Sequence, residues 1–168
     1  MNTGTEEVHK SLANRKCTLC VCTSCRPAGF SREPIEVRPG FCLHDEISQA
    51  LATSEIRESV NLEAVQCLSL CKRPCGIAMA SRGAWTYLFG DQSPDLSVNS
   101  ILECLSIYLQ STRGEMPRTV RPAGLRKSIL GRIPPLVDER LESRNEQLRE
   151  SASDDSYRIS WVRENNVT

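Results

Sequence analysis

Histidine is nearly missing from this chain: there are 2 in 168 residues. A catalytic zinc site usually draws on several imidazoles, so that chemistry is excluded. His9 and His44 stand apart, and His44 reads as a residue at the start of a helix. Aromatic residues reach only 5%, so any core is modest and mostly aliphatic. No charge of one sign dominates, because 21 Lys and Arg face 21 Asp and Glu. Nucleic-acid and membrane-surface binders need a basic excess, and neither partner is expected here. No apolar run reaches the roughly 18 residues of a membrane-spanning helix. The polar start MNTGTEEVHKSLANRK lacks the apolar segment of a signal peptide, so a reducing cytoplasm is the expected location. There is no glycine-rich phosphate loop, and Ser24, Ser69 and Ser81 have no histidine close by in sequence.

Cysteine is plentiful instead, with 9 in the chain. A secreted disulfide scaffold or an intracellular metal or redox protein gives such a count. The odd number and the polar N-terminus favour the second. Two pairs are tightly spaced: Cys22-Thr-Ser-Cys25 and Cys67-Leu-Ser-Leu-Cys71, the latter followed by Lys72-Arg73-Pro74-Cys75. Two sulfurs from one turn can occupy two corners of a tetrahedron, so Cys22, Cys25, Cys67 and Cys71 can converge on one soft metal centre. Zinc and a [2Fe–2S] cluster both fit four thiolates.

The other cysteines have plainer readings. Cys42 sits alone in a loop and Cys104 on an apolar helix face, where a thiol is a small apolar residue. Cys17 and Cys20 lie in a strand and read as packing, although Cys17-Thr-Leu-Cys20 is itself a pair able to supply rival ligands. Cys75 stands between the two classes, four residues past Cys71. A thioredoxin-type dithiol at Cys22 and Cys25 would need a helix starting beside it. Pro27, Gly29 and Pro34 follow, and no helical pattern begins there.

Along the chain, residues 1–15 read as a flexible arm. A first strand covers Cys17 to Cys22. Residues 26–43 carry prolines and glycines and read as a long loop. His44 to Glu58 reads as a helix with Ile47, Leu51 and Ile56 on one face and Asp45 and Glu46 in its first turn. Strands follow at 60–66, 76–80 and 84–89, the last two joined by a turn at Ser81-Arg82-Gly83. Trp85 and Tyr87 share a face and read as core. The strongest helical spacing runs from Asp95 to Gln110, through Leu96, Ile101, Leu102, Leu105, Tyr108 and Leu109. The order is β-α-β-β-β-α. Residues 16–112 form the expected domain, an α/β fold with a small mixed sheet and flanking helices. Residues 113–137 read as an irregular, basic, extended segment with a helical turn near Leu125 to Leu130. The charged tail, 138–168, reads as partly helical or disordered.

These residues also carry a resemblance. The stretch CLSLCKRPCGIAMASRGAWTYLFGD, with VCTSCR upstream, resembles the thioredoxin-like [2Fe–2S] ferredoxins. It is closer still to a bacterial family of predicted metal-binding proteins of that fold. Arg121-Pro122, Leu125-Arg126-Lys127 and Arg132-Ile133-Pro134-Pro135 extend the likeness over roughly residues 18–137. The resemblance implies a thioredoxin-like sheet with Cys22, Cys25, Cys67 and Cys71 holding a cluster in loops at its edge, and Cys42 as the alternative to Cys25. It implies a one-electron carrier with a redox partner protein, a link to cobalamin metabolism, and a chain that makes no bond itself. A zinc- or cobalt-binding protein, a dithiol redox protein and a homodimer remain open. Lys72, Arg73 and the basic residues of 118–132 are candidates for partner docking or for raising a cluster's potential, against the plainer reading of a solvated charged surface.

Overall fold

A computed structural model describes residues 15–135 of the chain. The expected tail at 138–168 and nearly all of the expected arm at 1–15 lie outside these residues. Five strands form one mixed sheet: β1 (Cys17–Cys22), β2 (Val60–Val65), β3 (Ile77–Ala80), β4 (Thr86–Phe89) and β5 (Ile129–Ile133). Their spatial order is β2-β1-β3-β4-β5. β1 and β2 run parallel, with Cys17 opposite Val60 and Cys22 opposite Val65. A parallel pair needs a long crossover, and helix α1 (Pro39–Ala52) lies within it. β3 and β4 form an antiparallel hairpin beside β1. Helix α2 (Val98–Gln110) follows. This is the α/β arrangement, a small mixed sheet with flanking helices, that the sequence led us to expect.

The core lies on one face of the sheet. Along β1, Cys17, Leu19 and Val21 are fully buried while Thr18 and Cys20 are half-buried. That alternation is the period of a pleated strand. Tyr87 and Phe89 face the same core from β4, with ring centroids 6.1 Å apart. Leu43, Ile47 and Leu51, spaced by four, form the buried stripe of α1. Ile101, Cys104, Leu105, Tyr108 and Leu109 do so for α2. Tyr87 is core as expected. Trp85 is only half-buried, with the Arg132 guanidinium 4.6 Å above its ring.

Three expectations change. Helix α1 starts at Pro39 and ends at Ala52, earlier than the expected 44–58. Proline is well placed in a first helical turn, where its missing N–H leaves nothing unpaired. Cys42 is therefore helical, not in a loop, and Asp45 and Glu46 lie past the first turn. Helix α2 starts at Val98, and Leu96 is 84% exposed. The Ser97 hydroxyl accepts the Ser93 N–H at 2.9 Å and holds the preceding turn outside the helix.

The third change concerns the basic segment expected to be irregular. Residues Ala123–Arg126 form a short helix, α3, and Ile129–Ile133 pair antiparallel with β4. Met116 and Leu125 are buried in the core. The Met116 N–H donates to the Tyr87 hydroxyl at 2.9 Å. The buried Arg121 guanidinium donates to the Met116 carbonyl and lies 5.6 Å from the Tyr87 ring centroid. Four prolines and six cations masked this order, because they suppress the apolar alternation by which strands are read.

Candidate metal centre

The two cysteine loops meet because β1 and β2 are parallel neighbours. Both strands release their loops at the same end of the sheet, where open α/β folds gather binding residues. Cys22 is opposite Val65, so Cys67 begins just beyond it. β3 runs the other way, with Ile77 opposite Val21, which brings Cys75 and Gly76 to that same end.

The first loop is pinned on all sides. The Cys22 N–H donates to Gly76 O at 3.0 Å, the Thr23 N–H to Val65 O at 2.9 Å, and the Gly40 N–H to Cys25 O at 2.9 Å. A Cβ on Gly40 would overlap the Cys22 carbonyl oxygen and stand 3.0 Å from the Cys25 Cβ. Only glycine lets α1 close over this loop. Cys22 and Cys25 are 2% and 4% exposed. The Cys25 sulfur accepts the Gly76 N–H at 3.3 Å, and the Cys22 thiol donates to Gln66 O at 3.5 Å.

The second loop is open. Cys67 and Cys71 are both exposed. Ser69 takes a left-handed backbone, φ 58°, and its N–H donates to the Cys67 sulfur at 3.2 Å. Cys22, Cys25, Cys67 and Cys71 line one cavity of ≈ 200 Å³, bordered also by Arg26 and Pro27.

Acidity follows these surroundings. Burial, then the neighbouring Cys25, pushes the Cys22 thiol up to about 11. The hydrogen bond to Cys75, then burial, raises Cys25. The Ser69 N–H holds Cys67 below the usual thiol range. The Cys67 charge raises Cys71. Cys75, 2% exposed, is lowered by the neighbouring Cys25.

The remaining cysteines lie elsewhere. Cys17 is in the core beside Cys104, and the Cys104 thiol is 3.7 Å from the Met116 sulfur. Burial pushes both thiols up to about 12. Cys20 points to the other face of the sheet, near Glu63. The Cys42 thiol donates to Glu36 O at 3.3 Å and does not line the cavity. Among the described residues, no three His, Cys, Asp or Glu side chains draw close enough around one point to hold a single ion. The donor chemistry fits a thiolate-bound metal group all the same: four sulfurs, two from each loop, face one cavity. Gly40 and the Gly76 and Ser69 N–H groups support the site but were not singled out in the sequence. Gly40 was hidden in a segment read as a loop, and backbone donors leave no residue-type signal.

The fold and this cavity define a small α/β protein with four cysteines lining one cavity at the end of its parallel strands. The chain belongs to the family described as Protein of unknown function (DUF1636), whose profile matches residues 19–135. A comparison with curated proteins finds no match. Two solved structures are similar in fold, both of a thioredoxin-like [2Fe–2S] ferredoxin from Aquifex aeolicus. One has 14% identity and a TM-score of 0.48, covering 73% of this chain and 97% of that one. The other, at 1.5 Å resolution, has 13% identity and a TM-score of 0.45, covering 69% and 97%. Among the described residues no helix is long and apolar enough to cross a membrane.

Proposed function

We propose that this chain is a small iron–sulfur protein that carries single electrons, with Cys22, Cys25, Cys67 and Cys71 as the ligands of a [2Fe–2S] cluster. The observation that carries this reading is the meeting of four thiols from two distant loops at one cavity. Such a cluster takes four protein thiolates and exchanges one electron at a time. The chain's own residues do the rest. Cys22 and Cys25 anchor the inner side, held by β1, β3 and α1. Cys67 and Cys71 face solvent and form the side an electron partner can approach. The Gly76 N–H at Cys25 and the Ser69 N–H at Cys67 withdraw charge from those sulfurs, and such hydrogen bonds raise a cluster's potential. Lys72 and Arg73 follow the exposed pair directly and add positive charge there. Arg73 also pairs with Asp91 and donates to Lys127 O at 3.3 Å, which ties this loop to the basic segment. No side chain at the site has a feature that speaks to cobalamin.

Anaerobic isolation of the full chain tests the reading. It predicts a brown protein with about two irons and two acid-labile sulfides per chain. A colourless protein loaded with stoichiometric zinc would overturn it.

A further inference from the structure

A second hollow adjoins the cysteine cavity. It is a groove of ≈ 370 Å³ between the Cys67–Cys71 loop and β5. Leu70 and Leu130, both half-buried, form its apolar lining, and Ser69, Cys71, Lys72 and Arg73 complete it. Cys71 lines both hollows. Backbone hydrogen bonds fix the walls. The Arg73 N–H donates to Leu70 O at 2.9 Å, the Asp91 N–H to Arg73 O at 3.0 Å, and the Gly90 N–H to Ser128 O at 2.8 Å. A Cβ on Gly90 would stand 2.7 Å from the Arg73 carbonyl oxygen and 2.9 Å from the Leu130 Cδ1. Glycine there lets the loop close onto β5, so the groove is formed before any partner arrives.

The charges at this groove have one sign. Both charged residues that line it, Lys72 and Arg73, are cations. The Asp91 carboxylate is taken up by the Arg73 guanidinium, which donates to it through Nε at 2.8 Å. Lys72 is exposed and pairs with no carboxylate among the described residues. Arg26 borders the neighbouring cavity. The formal net charge of the chain is zero, so an anionic surface is drawn here by the local excess and not by the molecule as a whole.

We propose that this groove is the docking site of an acidic protein partner. The partner sets an apolar side chain between Leu70 and Leu130 and a carboxylate against Lys72. A small free anion would meet the cations but leave the two leucines uncovered, whereas an apolar centre with a charged border is the anatomy of a protein interface. Its small extent suits a transient contact. That the docked protein is the electron partner rests on the iron–sulfur reading; the docking itself does not. On that reading Cys71 is the ligand that the partner touches.

The test uses the full chain as isolated and a capped peptide of glutamates around a central leucine. A water-soluble carbodiimide joins a peptide carboxylate to any lysine it rests against. Lys16 is the internal control: it is exposed and precedes β1, at the opposite end of the sheet from the cysteines. Trypsin spares a cross-linked lysine and an Arg–Pro bond, so a link at Lys72 gives residues 58–82 joined to the peptide, and one at Lys16 gives residues 16–32. The proposal predicts the first product in excess of about tenfold over the second, and its loss in about 1 M salt. In fluorescence anisotropy with the labelled peptide, Lys72→Glu weakens binding by about tenfold and Lys16→Glu by less than about twofold, although both change the net charge equally. Glycine in place of the peptide's leucine weakens it by about fivefold. Equal labelling of the two lysines, equal effects of the two charge reversals, or indifference to the leucine overturns the docking site. So does a chain-to-chain link through Lys72 that the peptide cannot displace, which would give the groove to a second copy. A colourless isolate that still cross-links at Lys72 removes the electron role and keeps the groove. A brown isolate without that preference removes the groove and keeps the cluster.

Discussion

The two cysteine loops offer the same donor atoms in opposite settings. The Cys22–Cys25 loop is buried, held by hydrogen bonds to β2, β3 and α1, and its thiols resist ionisation. The Cys67–Cys71 loop is exposed, and one backbone N–H from Ser69 favours a thiolate at Cys67. The difference assigns separate work to the two loops. In the proposed iron–sulfur reading, the buried pair would fix where the metal group sits and the exposed pair would govern how it is reached.

The largest expected effect comes from the cysteines themselves. Cys25→Ser leaves no room for a replacement ligand to move, so iron content falls by more than about tenfold. Cys71→Ser sits in an open loop, and the serine oxygen can take its place, so a cluster with altered absorption is retained. Cys42→Ser changes neither colour nor iron, because Cys42 is bound to the Glu36 carbonyl away from the cavity. Iron analysis and absorption spectra of the three variants check this ranking. Equal losses from Cys25→Ser and Cys71→Ser would erase the distinction between the loops.

A smaller effect separates the supports of the two loops. Gly40→Ala drives a methyl into the Cys22 carbonyl, which is backbone and cannot yield. It costs about 2–3 kcal/mol, measured by urea unfolding. Gly76→Ala meets only Leu70 side-chain atoms at 2.9 and 3.0 Å, beside the open loop. The Leu70 Cδ1 can turn aside and the Leu70 Cβ, at 3.0 Å, must give by a little, so the cost is about 1 kcal/mol. A larger loss for Gly76→Ala would show that Leu70 is held as firmly as the Cys22 backbone.

The smallest effect is a dependence on pH. In the metal-free chain Cys67 reacts with iodoacetamide at lower pH than Cys71, since its thiol is lowered and its neighbour's is raised. Cys22 titrates near 11, and Cys17 and Cys104 near 12, all above the ordinary value of 9.0. The folded chain therefore keeps these protons longer than the unfolded chain does. The stability they contribute is full below pH 9 and is lost as pH rises through 11 and 12. Tm should stay level up to about pH 9 and then decline. A Tm that rises over that range would contradict the burial of these thiols.

Much of this was legible in the sequence. Strand β1 and the hairpin of β3 and β4 show themselves through β-compatible apolar residues and the Gly83 turn. The stripe of α2 is plain at helical spacing. Four of the cysteines could be paired by spacing alone, and the structure brings those four to one cavity. Other features were hidden for physical reasons. Pro39 and Gly40 look like chain breakers, yet one opens a helix and the other lets it close on the Cys22–Cys25 loop. Strand β5 is short and interrupted by Gly131 and Arg132, and only its pairing with β4 reveals it. The contact of the Cys25 sulfur with the Gly76 N–H depends on the antiparallel register of β1 and β3, which no local pattern encodes.

The central claim is that one metal group is shared between the two loops. Anomalous X-ray scattering at the iron edge, from crystals of the anaerobically isolated chain, tests it most directly. The account predicts two iron peaks in the cavity, each bonded to two of the sulfurs of Cys22, Cys25, Cys67 and Cys71. Iron bound through Cys42, Cys20 or Cys17, or a lone zinc held by one loop, would contradict it.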